Sequence, residues 1–273
     1  MIDKYKAVWI SHSSLGDYLK CPKLYYLHNV YKNPKTRRKM SIVTPYMSLG
    51  IAVHNVLEGL VAYKADERMS LDLHQEYEKE WEKVSGKKGG FSDEEQEKEF
   101  KARGTMMIQR AIDNPSLFLD KTIRMKEELP HFFLSEEEGI ILCGKIDWIR
   151  YVKDSDTVEL YDFKTGMNKE DSSSLQLPIY TLIMKYCQKR KVSGAFYWYL
   201  QSDDSFVSKE LPDLDDSYAK ILELGKKVKK TREDKAYDCP KGGCRECEQY
   251  EKILRGEAEY VGVGGYNQDL YIV

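Results

Sequence analysis

The sequence predicts an α/β protein in which a central mixed β-sheet is flanked by helices. Apolar residues recur with helical spacing in the first part of the chain, and short runs rich in β-branched and aromatic residues follow. The order strand, strand, helix, strand favours a mixed sheet covered by helices. The predicted strands are 131–134, 139–152, 157–164 and 192–200, and a helix at 173–190 separates the last two.

Three helical segments are expected before the strands. They cover 12–30, 46–66 and the Glu- and Lys-rich stretch 70–115. No internal repeat or low-complexity linker divides the chain, so we expect a single domain. This predicted domain spans 1–273. It contains a helical insertion at 65–118 and a cysteine-containing, mostly irregular tail at 236–273 that packs near the N-terminal helix.

Composition favours a folded protein of the cytoplasm that does not enter a membrane. Hydrophobic residues make up 41% and charged residues 32%. No run approaches the roughly 18 apolar residues of a membrane helix, and the N-terminus lacks a secretion pattern. The net charge is -2, so any binding to nucleic acid would depend on local basic tracts. Two such tracts exist, and taken alone each is more often a solvated charged face than a binding surface: Lys32, Lys35, Arg37, Arg38 and Lys39; and Lys226, Lys227, Lys229, Lys230 and Arg232.

Two aspartates and a lysine interrupt the apolar strand patterns. Side chains alternate along a strand, so Leu160, Asp162 and Lys164 share one face, which the apolar residue indicates to be partly buried. Asp147 interrupts its own apolar run in the same way. If the two strands are antiparallel neighbours, both aspartates can meet at one Mg²⁺ or Mn²⁺ ion. The alternative is a buried Asp–Lys ion pair with an unrelated turn aspartate.

Three polar residues on predicted helices have an ordinary interpretation beside a functional one. His54 lies among apolar residues, where a histidine is more often a packed core residue than a metal ligand. Gln176 and Tyr180 are four residues apart and therefore share a helix face. Taken alone, none of them identifies a site.

Three of the six cysteines lie close together near the C-terminus. Cys239, Cys244 and Cys247 form the pattern C-x4-C-x2-C. In a cytoplasmic protein this spacing indicates a metal rather than disulfides, and a tetrahedral site needs a fourth ligand. Four thiolates would suit zinc. Cys143 and Cys187 lie in apolar segments and are expected to be small core residues.

Five motifs in order resemble those of the RecB-like branch of the PD-(D/E)XK nuclease superfamily. The segment 13–26, SSLGDYLKCPKLYY, resembles the opening helix with its Cys-Pro pair. The other four resemble the branch's Gly-x-x-x-His helix, its GxxD and DxK strands, and its QxxxY helix. These motifs are Gly50 to His54, Gly144 to Asp147, Asp162 to Lys164, and Gln176 to Tyr180.

The resemblance implies a restriction-endonuclease-like core and metal-dependent hydrolysis of DNA. His54, Asp147 and Asp162 would bind Mg²⁺ or Mn²⁺ together with the backbone carbonyl of Phe163, and Lys164 would be the catalytic lysine. The residues implied to support the site or contact DNA are Gln176, Tyr180 and a glutamate upstream of GxxD, for which Glu127 and Glu128 are both candidates.

The resemblance also implies a 4Fe-4S cluster on Cys21 and the three C-terminal cysteines, linking the tail to the N-terminal helix. The usual C-terminal pattern is closer to C-x2-C-x5-C. Cys244 and Cys247 match its first pair, but Ile253 occupies the last position. Cys239 would then substitute from the other side, and zinc is the alternative metal.

The expected activity is exonucleolytic cleavage of single-stranded DNA, in association with a helicase or with CRISPR or recombination proteins. No Walker pattern occurs, so the chain is not itself expected to be a helicase motor. Two alternatives stay open. One is a non-catalytic DNA-binding or scaffolding subunit, and the other is a zinc-bound interaction module with structural aspartates.

Overall fold

The computed structural model describes residues 3–273, which form two compact units, each assembled from separate stretches of the chain. Within residues 3–273 there are ten strands and nine α-helices, joined in places by 3-10 turns and one π-helical turn. They are β1 (Val8–Ile10), α1 (His12–Lys20), α2 (Pro22–Tyr25), β2 (Met40–Ile42), α3 (Pro45–Gly59), α4 (Leu73–Glu82), α5 (Glu94–Asp113), α6 (Ser116–Leu119), β3 (His131–Ser135), β4 (Ile140–Cys143), β5 (Trp148–Val152), β6 (Thr157–Lys164), α7 (Gln176–Cys187), β7 (Val192–Tyr199), β8 (Val207–Lys209), α8 (Leu214–Asp234), α9 (Arg245–Arg255), β9 (Glu259–Val263) and β10 (Asp269–Ile272).

The first unit combines the chain up to Thr44 with His131–Cys143 and Asp215–Val273. It contains two mixed three-stranded sheets, with strand orders β1-β4-β3 and β2-β10-β9. In each sheet one pair of strands is parallel and the other is antiparallel. Helix α8 packs closely on the first sheet at Gly225, where a Cβ atom would lie 3.1 Å from the side chain of Ile140.

The second unit combines Pro45–Pro130 with Gly144–Leu214. Its sheet has the order β5-β6-β7-β8, and its central pair β6–β7 is parallel. Helices α3, α4 and α5 contribute to the same apolar core as this sheet. The absence of a side chain at Gly104 on α5 makes room for Tyr77 of α4, because a Cβ atom there would lie 2.0 Å from the tyrosine hydroxyl. The large buried aromatic residues of this core are Trp81, Phe118, Trp148, Phe163 and Trp198.

The predicted α/β class with mixed sheets flanked by helices is confirmed, and the strands of residues 3–273 divide among three sheets. The run 139–152, predicted as one strand, forms β4 and β5, which belong to different sheets and to different units. The joining segment contains the buried Ile146. An apolar loop residue therefore continues the apolar pattern, and periodicity alone cannot separate such a loop from a strand.

Both chain ends differ from the expected elements. The predicted helix 12–30 is interrupted at Cys21, whose backbone is extended with φ −169° and ψ 125°. Pro22 follows it, and the residue before a proline is disfavoured in the helical region. The irregular tail was a wrong prediction, because 236–273 contains α9, β9 and β10.

The remaining helices agree in part with the expectations. Helices α4 and α5 lie inside 65–118, and α6 extends one residue beyond it. Helix α3 begins one residue before the predicted segment 46–66, and α7 lies inside the predicted segment 173–190. Helix α8 was not predicted. None of the helices in residues 3–273 has the length and apolar content required to cross a membrane. The single-domain organisation stays a prediction beside the two compact units.

Candidate active site and metal centres

Strand β6 presents a carboxylate and an ammonium group at the end of a buried face. Val158 and Leu160 are almost fully buried, and Asp162 on the same face is only 3% exposed. Lys164 ends the strand and lies with its Nζ atom 2.8 Å from Oδ2 of Asp162. The next residue on the opposite face, Phe163, packs in the aromatic core. The predicted alternation along this strand is therefore observed.

Asp147 lies just before strand β5 rather than inside a strand. Its Oδ2 atom accepts a hydrogen bond of 2.8 Å from the backbone N–H of Phe163. Strands β5 and β6 are antiparallel, with Trp148 opposite Tyr161. This pairing places the carboxylate of Asp147 beside the end of β6, as expected for antiparallel neighbours.

Helix α3 brings His54 to Asp147. Gly50 allows the close approach of this helix to the segment after β6, because a Cβ atom would lie 3.3 Å from the Oγ1 of Thr165. One helical turn later, the Nδ1 of His54 lies 3.5 Å from Oδ2 of Asp147. The same nitrogen lies 2.9 Å from Oε1 of Glu58. His54 is therefore a polar residue of the site rather than a core histidine.

Glu58 is a site residue that the sequence reasoning missed. Potential ligand atoms of His54, Glu58 and Asp147 all lie within 4.8 Å of one another. The signal was present, since a His-x-x-x-Glu spacing places both side chains on one helix face. Lys145 contacts the second oxygen of Glu58 at 2.6 Å. Asp162 lies outside this three-residue group, with both its oxygens engaged by other side chains.

Helix α7 holds Asp162 through two side chains on one face. Nε2 of Gln176 donates to Oδ1 of Asp162 at 2.8 Å, and the Tyr180 hydroxyl donates to the same oxygen at 3.1 Å. Oε1 of Gln176 accepts a hydrogen bond of 2.5 Å from Lys164. Glu170 lies 3.2 Å from the same ammonium group. The predicted glutamine and tyrosine therefore contact the Asp–Lys pair directly.

The charges of these residues are not balanced within the site. Burial raises the pKa of Asp147, and the negative charge of Asp162 raises it further. Burial alone would lower the pKa of His54, but Asp147, Glu58 and Asp162 raise it to about 9. The raised pKa values of Asp147 and His54 mean that bound protons offset part of the negative charge of the carboxylates. A divalent cation at this place would offset it instead. Carboxylate oxygens with one imidazole are a donor set that fits Mg²⁺ or Mn²⁺.

The ammonium group of Lys164 is charged despite its partial burial. Burial would lower the pKa of Lys164, but the neighbouring carboxylates of Asp162 and Glu170 raise it above its ordinary value. A charged lysine beside carboxylates can bind a phosphate oxygen or orient a water molecule. This is the chemistry expected of the lysine in the DxK motif.

A cleft of about 680 Å³ lies beside this group of residues. Asp147 and Glu58 line it, and so do Glu127 and Glu128. The structure therefore brings both candidate upstream glutamates to the cleft but not into the three-residue group around His54. The cationic residues that line the cleft are Lys83, Arg124, Lys126 and Lys145.

The two basic tracts belong to the first unit, whereas the carboxylate group belongs to the second. On α8, Lys226 and Lys229 pair with Glu138, and Lys227 pairs with Glu223 at 2.6 Å. These ion pairs are typical of a solvated charged face, which was the ordinary interpretation. In the other tract, Arg38 contacts Asp269 at 3.5 Å.

Four cysteines converge in the first unit. Their sulfur atoms all lie within 4.8 Å of one another, and the group consists of Cys21, Cys239, Cys244 and Cys247. Helix α9 begins after Cys244, so that its first turn carries Cys247. Ile253 packs in the apolar surroundings of the group. The predicted arrangement, which joins the segment after α1 to the tail, is therefore present.

The other two cysteines lie outside this group. Cys143 is buried, and its thiol donates to the backbone carbonyl of Ile10 at 3.4 Å. Cys187 is only partly buried at the end of α7. The core role predicted for both cysteines thus fits Cys143 better than Cys187.

A family model described as the PD-(D/E)XK nuclease superfamily matches residues 9–251. The match spans most of the chain and includes all five motifs together with Glu58. The chain therefore belongs to the PD-(D/E)XK nuclease superfamily, and membership implies nuclease activity that uses divalent metal ions. A search of curated proteins found no match.

Proposed function

We propose that this protein is a Mg²⁺- or Mn²⁺-dependent deoxyribonuclease. The observation that carries the proposal is the convergence of His54, Glu58 and Asp147 next to the Asp162–Lys164 pair. These groups come from α3, the segment before β5, and β6. Together they offer oxygen and nitrogen ligands for a metal ion, with a charged lysine beside them, and such an ion would assist hydrolysis of a phosphodiester.

The proposed metal ligands are His54, Asp147, Asp162 and Glu58, with the backbone carbonyl of Phe163. A bound divalent ion would polarise the phosphodiester and lower the pKa of a coordinated water molecule. The hydrogen bond from the Phe163 N–H fixes one oxygen of Asp147, and this carboxylate would bind the ion. Burial would raise the pKa of Glu58, but the contact with His54 and, to a smaller extent, the ammonium group of Lys145 at 2.6 Å lower it and favour the ionised carboxylate.

Lys164 is proposed to orient the attacking water and to stabilise charge on the phosphate. Its ammonium group is held by Asp162, Glu170 and Gln176, so it is positioned before substrate binds. Such preorganised charge is effective because it needs no reorganisation during the reaction. Tyr180 supports the lysine indirectly by fixing Asp162, and Gln176 contacts both Asp162 and the lysine.

We propose single-stranded DNA as the substrate and the cleft beside Asp147 as its path. A volume of about 680 Å³ is that of a small-ligand pocket, which suits a few unpaired nucleotides better than a duplex. Arg124, Lys126 and Lys145 line this cleft and can contact phosphate groups. Glu128 and Glu127 are proposed to support the site from the same cleft.

Cleavage is proposed to start from a DNA end, as the resemblance to the RecB-like branch implies. The same resemblance implies work beside a helicase or within a CRISPR or recombination complex. Co-purification with such proteins from the source cells would test this association.

The proposed activity can be tested with DNA and RNA labelled at the 5′ or 3′ end. Single-stranded DNA should be degraded from an end in Mg²⁺ or Mn²⁺, whereas an Asp162→Asn variant should leave it intact. Asp154→Asn, in the exposed turn after β5, is the matched control. Binding of DNA without any cleavage by the unmodified protein would instead support the non-catalytic alternative.

A further inference from the structure

We infer that the four cysteines bind a single tetrahedral metal ion, best matched by Zn²⁺, rather than the 4Fe-4S cluster that the resemblance implies. The inference concerns the identity of the metal in the first unit. It rests on the positions of the sulfur atoms and does not depend on the proposed nuclease activity.

The separations of the sulfur atoms are those of ligands that share one ion. All four Sγ atoms lie within 4.8 Å of one another, and those of Cys244 and Cys247 are 3.4 Å apart. Around zinc, bonds of about 2.3 Å at tetrahedral angles place neighbouring sulfur atoms about 3.8 Å apart. The observed group has this compact size.

A 4Fe-4S cluster does not fit between these sulfur atoms. In such a cluster each cysteine binds a different iron of a cube, and the irons and sulfides occupy the space between the thiolates. Thiolates around a cube therefore stand farther apart than thiolates around one ion. Sulfur atoms as close as those of Cys244 and Cys247 leave no room for two irons with sulfide between them.

Disulfide bonding does not explain the convergence either. The 3.4 Å between Cys244 and Cys247 is well beyond the disulfide length of about 2.05 Å. All four residues are free cysteines, and Cys21 and Cys247 are at most 1% exposed. Four thiols that meet without a covalent bond, three of them on buried residues, are the donor set of a structural zinc site.

Backbone N–H groups point at the sulfur atoms, as expected for thiolates that bind a metal. Cys244 donates its N–H to the sulfur of Cys247 at 3.4 Å. The sulfur of Cys239 accepts from the backbone of Lys241 and of Gly243. The loop can bend in this way because Gly242 and Gly243 adopt positive φ angles of 68° and 143°. These N–H groups would orient and stabilise the ligands.

The sequence departure noted above agrees with a single ion. The spacing C-x4-C-x2-C differs from the cluster pattern of the RecB-like branch, and Ile253 packs beside the cysteines as an apolar residue. Four thiols would lose their protons when they bind Zn²⁺, which has no redox chemistry. The centre would then be a structural link between Cys21 and the start of α9, and it would be insensitive to oxygen.

The test is to count metals in the full chain, purified without oxygen from cells supplied with both iron and zinc. We expect about one zinc per chain. No labile sulfide and no visible absorption band should be present, and purification in air should give the same zinc content. Cys244→Ser should lose the zinc, whereas Cys187→Ser, which changes a cysteine outside the group, should keep it. Replacement by Co²⁺ should give the intense visible bands of a tetrahedral thiolate complex.

Several results would overturn the inference. About four irons per chain with labile sulfide would establish the cluster instead. Protein without either metal, or zinc that remains in Cys244→Ser, would rule out this site. If Cys244→Ser does not fold, the metal content and the Co²⁺ spectrum of the unmodified protein still decide the question.

Discussion

The two candidate metal centres of this protein are built in opposite ways. The centre in the second unit uses carboxylates, an imidazole and a lysine, and its ligands are separately tied down by other side chains and by the backbone. The centre in the first unit uses four thiol groups that meet among apolar residues. The carboxylate centre leaves room for a substrate beside a hard cation, whereas the cysteine centre would enclose a softer one.

Their surroundings differ in the same direction. The carboxylate centre lines a cleft of about 680 Å³, so substrate and water can reach it. Two of the four cysteines are nearly inaccessible. A catalytic metal site keeps an open position, and a structural one is closed. We therefore propose that the second unit carries out turnover and that the cysteine centre stabilises the first unit.

The largest effect that would test this contrast is metal removal. Brief treatment with EDTA should abolish DNA cleavage, because the carboxylate centre lines a cleft that a chelator can enter and would hold a hard cation weakly. Added Mg²⁺ or Mn²⁺ should restore cleavage, while the metal bound by the cysteines should remain, as measured by elemental analysis. Undiminished cleavage after complete removal of divalent ions would contradict the proposed mechanism.

The next largest effect should come from Lys164→Ala. Loss of one preorganised charge should slow cleavage by about a hundredfold or more. The metal of the cysteine centre should be unaffected, and melting should show that the protein remains folded. Lys153→Ala, at an exposed turn of the same sheet, is the control. Near-normal turnover in Lys164→Ala would remove this lysine from the catalytic assignment.

The two centres also differ in how far the sequence could predict them. Asp162, Lys164, Gln176 and Tyr180 occupy regular elements, and alternation along a strand or spacing along a helix places them on one face. The structure has these faces as expected. Asp147 was harder to place, because a buried apolar loop around Ile146 continues the pattern of a strand.

The features that the sequence did not reveal depend on residues far apart in the chain or on single contacts. The choice of metal at the four cysteines would depend on distances between sulfur atoms, which the spacing in the sequence does not encode. The division into two units was also hidden, since each unit is assembled from separate stretches of sequence. Glu58 could have been found, because it follows His54 by one helical turn. In the tail, buried Cys247, Tyr250 and Ile253 at intervals of three residues indicate helix α9.

A smaller effect is expected when the support of Asp162 is weakened. Tyr180→Phe keeps the ring in the core but removes the hydrogen bond of 3.1 Å to the carboxylate. Loss of such an outer contact should lower the affinity for Mn²⁺ or the rate of cleavage by roughly tenfold. Titration with Mn²⁺ would measure the affinity, and Tyr186→Phe on the same helix is the control. Unchanged affinity and rate would show that Gln176 and Lys164 hold Asp162 without the tyrosine hydroxyl.

The smallest effect should follow Gly50→Ala, which tests whether the carboxylate centre depends on the distance between helix α3 and the end of β6. An added Cβ atom would lie 3.3 Å from Oγ1 of Thr165, so the helix or the threonine must shift by a few tenths of an ångström. His54 lies one turn after Gly50 on the same face of α3. A shift of the helix at Gly50 would therefore carry His54 away from Asp147. We expect cleavage to fall several-fold, since small displacements of reacting groups are costly. Stability should change little, because alanine favours a helix by about 1 kcal/mol over glycine and offsets the tighter contact.

Gly16→Ala, on α1 of the first unit with nothing within 4 Å of its Cβ atom, should be more stable and fully active. Equal activity of the two variants would show that the approach of α3 to β6 does not determine the position of His54.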